Sequence, residues 1–97
     1  MIMSFGNRGT EDLFNGRPTK HARAVLPKQL ARRALLKLEQ LDSAAHLDDL
    51  RVPPGNRLEV LRGERAGQHS IRINDQYRIC FVWTDSGPEA VEIVDYH

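Results

Sequence analysis

At 97 residues and 11.0 kDa the chain can enclose only one modest hydrophobic core, so a single domain over 1–97 is expected and a multidomain assembly is excluded. Its 40% hydrophobic and 28% charged residues exclude a disordered tail, and no segment approaches the ~18 apolar residues of a membrane span or the apolar stretch of a signal peptide. The net charge of +1 hides an uneven distribution: 1–37 carries eight Lys/Arg against Glu11 and Asp12, 51–78 carries six arginines, and 79–97 carries four acids with no Lys or Arg. Such concentration suits a polyanion, although a solvated basic face accounts for it equally well on charge alone.

Ile2 to Phe5 alternate as a short first strand that Gly6-Asn7-Arg8-Gly9 breaks. Thr10 offers an N-cap to one or two helical turns through Phe14, which Gly16-Arg17-Pro18 ends. Pro27 stands at a first-turn position. From there Leu30, Ala31, Ala34, Leu35, Leu38, Leu41 and Ala45 recur at three- and four-residue spacings, predicting an amphipathic helix of about five turns. Lys28, Arg32, Arg33 and Lys37 lie on its other face. Asp48 and Asp49 fall in a short helical or turn segment, and Val52-Pro53-Pro54-Gly55-Asn56 is a loop.

From Arg57 the apolar period becomes two. Residues 58–61, 69–73, 77–83 and 90–96 predict four successive strands, separated by turns at 62–67, 74–76 and 85–88. These turns are too short for crossover helices. The expected fold is therefore α+β: an antiparallel meander of four to five strands packed against two N-terminal helices. Cys80, inside the apolar run 79–83, reads as a buried, inert thiol and fits a reducing cytoplasm.

No pair among His21, His46, His69 and His97 has zinc-ligand spacing, and Gly63 and Gly67 lie in a hairpin and not between a strand and a helix. Neither a metal site nor a phosphate-cradling loop is expected, and no cofactor. What remains is cationic side chains at strand phase. Arg72 alternates with Ile71 and Ile73 and so projects away from the buried face. Arg78 interrupts an apolar strand. Because a buried unpaired guanidinium is strongly unfavourable, Arg78 is either paired with a carboxylate such as Asp95 or placed on the open face of the sheet. Cross-strand pairing of Arg62 and Arg78 with Glu92 or Asp95 is the purely structural alternative. Asp95-Tyr96-His97 brings a carboxylate, a phenol and an imidazole together, but terminal residues fray in most domains and spacing alone gives them little weight.

Read together, Met1-Ile2-Met3-Ser4-Phe5, Gly55-Asn56-Arg57-Leu58, Leu61-Arg62-Gly63, Gly67-Gln68-His69-Ser70-Ile71-Arg72, Asn74-Asp75-Gln76-Tyr77-Arg78-Ile79 and Val94-Asp95-Tyr96-His97 resemble the HigB/GraT-type toxins of the RelE/ParE toxin–antitoxin superfamily. The resemblance covers nearly the whole chain. It implies a RelE-like fold and a bacterial, cytoplasmic, ribosome-dependent endoribonuclease that cuts mRNA in the decoding site. It also implies a HigA-like helix-turn-helix antitoxin as inhibitor, with operator DNA reached only through that complex. By matching motif it implies catalytic roles for Arg62, Arg78, Asp95, Tyr96 and His97. Where the better-known pattern reads His-Pro-Leu-Lys-Gly, this chain has Glu59-Val60-Leu61-Arg62-Gly63. That departure implies weaker activity or a different sharing of the acid–base roles.

Metal-independent cleavage by the ribose 2′-hydroxyl needs a base, cations to stabilise the phosphorane and an acid for the departing 5′-oxygen. On the implied assignment Arg62 and Arg78 are the cations, and His97, an imidazole with an ordinary pKa near ~6.5, is the acid or base. Asp95 orients His97 or Arg78, Tyr96 stacks on a base, and Glu59 is the base if it faces the same side. The helix residues Lys28, Arg32, Arg33 and Lys37, with Arg57, Arg65, His69 and Arg72 of the sheet, are expected to contact RNA. Two rival readings stand beside this one: a ParE-like toxin acting on DNA gyrase, which needs no imidazole, and a degenerate toxin kept as an antitoxin-binding corepressor.

Overall fold

In the computed structural model, which describes residues 1–96, three α-helices precede a four-stranded sheet. The first helix, α1 (Arg8–Phe14), starts at Asn7, whose side-chain oxygen accepts from Thr10 N at 2.9 Å. Thr10 is therefore not the cap. It is fully buried, and its hydroxyl accepts from Ile93 N at 2.9 Å, pinning α1 to the last strand.

The second helix, α2 (Lys20–Val25), has no counterpart in the apolar pattern. Six residues with only Ala22 buried make no stripe, and the element owes its start to Thr19, which accepts from Ala22 N at 3.2 Å. The number of helices is thus three, not two. Thr19 also donates to Asp12 at 2.7 Å, and Asp12, 2% exposed, faces Arg8 at 3.9 Å and Arg17 at 3.7 Å. The two helices meet so closely at Gly9 that a Cβ there would sit 2.4 Å from the His21 carbonyl oxygen.

After a 3₁₀ turn at Lys28–Leu30, helix α3 (Ala31–Ser43) buries Ala34, Leu38 and Leu41. It is shorter than its apolar stripe suggests, and Ala45 lies beyond it, exposed. The backbone turns away because the Asp49 carboxylate accepts from both Ala45 N and His46 N at 3.0 Å, opening the 3₁₀ turn Leu47–Arg51. Buried Asn56 anchors the proline loop, donating to Leu50 O and to Gln40 Oε1, each at 3.1 Å.

The sheet runs β1 (Glu59–Val60), β2 (His69–Arg72), β3 (Tyr77–Thr84) and β4 (Gly87–Asp95), in that spatial order with every pairing antiparallel. The first strand is shorter than its alternation, because Arg57 takes a left-handed conformation at φ 47 and the hairpin closes at the Leu61 N to Gln68 O bond. Residues 2–5 run beside β4 with a single parallel bridge, Phe5 to Val91, and are not a fifth strand. Asn7 caps α1 directly afterwards and carries the chain off the sheet edge.

One face of the sheet, with Ile71, Ile73, Ile79, Phe81, Val91 and Ile93, packs on Leu26, Ala34, Leu38, Leu41 and Leu50 from the helical layer. The α+β meander is as the period-two pattern predicts. Among the described residues no helix is long and apolar enough to cross a membrane.

Candidate functional site

The other face of the sheet follows from the same alternation. Glu59, Ser70, Cys80 and Glu92 are directly opposed across the four strands, and Arg72, Arg78 and Val94 form the next row. In β2, β3 and β4 the alternate phase, with Ile71, Ile79, Phe81 and Ile93, points into the core, so this face carries most of the sheet's polar side chains.

Arg78 is its centre. Only 7% exposed, it donates from Nη1 to Ser70 Oγ at 2.6 Å and from Nη2 to Glu59 Oε1 at 2.8 Å, and its Cζ lies 5.0 Å from the centroid of the Tyr96 ring. A guanidinium buried this far is tolerated because carboxylate, hydroxyl and ring satisfy it from different sides. Both sequence expectations for Arg78 hold at once, a carboxylate partner and the open face, but the partner is Glu59 and not Asp95. Glu59 thus faces the side on which a catalytic base is needed, and half of it remains exposed.

A second pair borders the first. Arg65 donates to Glu92 Oε1 at 2.8 Å and to Gln68 Oε1 at 3.1 Å. Glu92 is therefore the partner of Arg65, not of Arg62 or Arg78, and the hydrogen bond to Glu92 holds the Arg65 guanidinium above its ordinary pKa. Between the pairs lies Cys80, fully buried, whose thiol is pushed up by that burial and stays protonated and inert.

The remaining expected residues fall in different places. Arg62, just before Gly63, is exposed and makes no ion pair among the described residues. Arg57 is also exposed. Arg72 shares the open face and pairs with Asp75. Asp95 stands opposite Tyr77 at the end of β4, in phase with Ile93, and accepts from Gln76 Nε2 at 2.9 Å. Tyr96 returns to the open face over Arg78. His97 lies outside the described residues.

His69, expected to contact RNA, lies in the core phase of β2. It shares the phase of Ile71, its ring stacks on Phe81 with centroids 6.2 Å apart, and its Nδ1 is buried with no hydrogen-bond partner among the described residues. Lys37 is drawn down to Asn56 Oδ1; burial first, and Arg33 second, lower its pKa. Lys28, Arg32 and Arg33 remain exposed on the helical side. Ser70 was missed by the sequence reading. Its signal is parity: a small hydroxyl in phase with Arg72 on a strand whose other phase is isoleucine. Among the described residues no group of three or more His, Cys, Asp or Glu is arranged to hold a metal ion.

Comparison with known proteins agrees with this architecture. A model of the HigB-like toxin family, described as the RelE-like toxin of the type II toxin–antitoxin system HigB, matches residues 4–97. The chain is 48% identical to "Toxin HigB-1" of Vibrio cholerae over 85 residues, covering 88% of this chain and 86% of that one. It is 29% identical to "Endoribonuclease HigB" of Proteus vulgaris over 97 residues and the full length of both. In three dimensions it is similar to a chain of the YoeB-YefM complex from Staphylococcus aureus, with a TM-score of 0.60 over 100% of this chain and 98% of that one; at 14% identity the likeness concerns the fold alone. The chain belongs to the HigB-like family of RelE-like toxins of type II toxin–antitoxin systems.

Proposed function

We propose that this toxin is a metal-independent endoribonuclease that cuts messenger RNA on the ribosome and is neutralised by a HigA-like helix-turn-helix antitoxin. The observation that carries the proposal is Arg78, a guanidinium fixed by Ser70, Glu59 and Tyr96 on the open face of the sheet. The name of the Proteus vulgaris relative, an endoribonuclease, supports the same reaction class.

In the proposed cycle the scissile phosphate enters beside Arg78 and competes with Glu59 for its donors. The displaced carboxylate takes the proton from the 2′-hydroxyl, and the resulting alkoxide attacks phosphorus. Arg78 and Arg62 stabilise the charge that builds on the phosphorane; one such preorganised donor is worth about 10²–10³ in rate. The bond to the 5′-oxygen breaks and that oxygen takes a proton from His97, leaving a 2′,3′-cyclic phosphate and a 5′-hydroxyl. Tyr96 covers the Arg78 guanidinium and offers a ring for a neighbouring base. Asp95, which accepts from Gln76, is assigned the role of orienting His97. Arg57 and Arg72 make phosphate contacts, so binding weakens steeply with salt. Dependence on the ribosome would follow from positioning, the ribosome holding the message in line for attack at Arg78. The toxin acts in the cytoplasm, where its target is, and operator DNA is contacted through the antitoxin.

The test adds purified protein to translating ribosomes carrying a defined message, with and without EDTA, and maps the RNA ends. Cuts with 5′-hydroxyl ends that persist in EDTA are expected. Intact message together with inhibited DNA supercoiling would point instead to a gyrase-directed toxin, and intact message without it to a binding module.

A further inference from the structure

On the helical side, a groove of about 440 Å³ opens between the α1–α2 hairpin and the first half of α3. Leu13, Ala22, Leu26, Ala31 and Leu35 line it, with Ala22 and Leu26 only 6% and 3% exposed, so the floor is recessed as well as apolar. Arg17, Arg23, Lys28 and Arg32 stand along the groove, and no lining residue is acidic. Arg17 shares the Asp12 carboxylate with Arg8, and Arg23 donates to Pro18 O at 2.8 Å; Lys28 and Arg32 have no ion-pair partner among the described residues.

An occupant must satisfy both properties. RNA answers the cations but not the floor, which has aliphatic side chains and no aromatic ring on which a base could stack. A bilayer is attracted by the cations, yet its flat surface does not enter a recess. A helix with apolar side chains at i, i+3 or i+4 and i+7, flanked by Asp or Glu, answers both, the apolar ridge filling the groove and the carboxylates meeting the arginines.

We infer that this groove is the docking site for an acidic amphipathic helix of the antitoxin. The inference rests on the toxin–antitoxin reading above and adds to it a surface and a partner chemistry. Two variants probe it without touching the residues assigned to RNA: Arg23→Glu reverses an exposed charge, and Leu35→Glu puts a carboxylate into the floor.

Wild-type toxin is first titrated with its purified cognate antitoxin, and then both variants are titrated, each also assayed for message cleavage on ribosomes. The expected result is antitoxin affinity reduced by about tenfold or more in each variant, with the Arg23→Glu loss shrinking at high salt and cleavage unchanged. Cleavage serves as the check that the variants fold. Affinity within about twofold of wild type in both variants overturns the groove assignment, as does retained antitoxin affinity with lost cleavage, which makes the surface an RNA contact. If wild-type toxin neither binds the antitoxin nor cuts message, the functional reading itself fails and the groove assignment goes with it.

Discussion

The two faces of the sheet are built by one rule and held by different physics. On the core face the rule delivers isoleucines and Phe81 to the helices, and each such residue contributes about 1.5–3 kcal/mol by leaving water. On the open face it delivers Glu59, Ser70, Arg78 and Glu92, where ion pairs return little beyond the desolvation of the charges they join. A core face tolerates another side chain of similar volume. The open face does not, because the position of individual donors matters there. It keeps a nearly buried guanidinium in one orientation, which is worth more to an electrostatic catalyst than to a folded state.

Substitutions separate the two faces. The largest effect is expected from Glu59→Gln, which keeps the shape but removes the proposed base: cleavage per folded molecule on ribosomes should drop by about 10²–10⁴, and the melting temperature should fall as well because the nearly buried Arg78 loses its carboxylate partner. A variant with wild-type cleavage would remove Glu59 from the reaction. The converse change is Leu38→Ala on the core side, where a fully buried side chain leaves a cavity; urea unfolding should show a loss of about 2–5 kcal/mol, with cleavage per folded molecule unchanged. Ser70→Ala lies between them. Losing the 2.6 Å bond to Arg78 frees the guanidinium to turn, so cleavage should fall by roughly tenfold, and Ser70→Thr should recover part of it.

The smallest effect tests the helical layer. The hydrogen bond from Thr19, with help from Arg8 and Arg17, holds the Asp12 carboxyl below its ordinary pKa of 3.8. As pH falls the unfolded chain therefore takes up this proton first, so the contribution is complete above that pKa and is lost as pH falls through the lower folded value. Asp12→Asn should lower the melting temperature at pH 7, and its difference from wild type should narrow below about pH 4. A pH-independent difference would show that the charge is not what matters.

How far the sequence revealed these features depended on whether the signal was periodic. The antiparallel meander was legible because alternation and short turns leave few other topologies. The placement of His69 was legible too, since it shares the parity of Ile71 and Ile73. Helix α2 was not legible, because its existence depends on a cap at Thr19 and contacts with α1. Which carboxylate meets Arg78 was also hidden. Asp95 is a short step from Arg78 in register, yet its strand phase turns it to the other face, whereas Glu59 reaches Arg78 from β1 across Ser70. Lys37 reads as an outer-face cation until the buried Asn56 of a distant loop is known to receive it.

The most direct test of the central claim, that the open face and Arg78 above all cut the message, is the single-turnover cleavage rate of Arg78→Ala and Arg78→Lys on programmed ribosomes, with antitoxin affinity measured on the same preparations. The account predicts a fall of about 10²–10³ for alanine and little recovery by lysine, whose single ammonium cannot serve Ser70, Glu59 and a phosphate together, with antitoxin affinity unchanged. Cleavage at the wild-type rate in Arg78→Ala would contradict it.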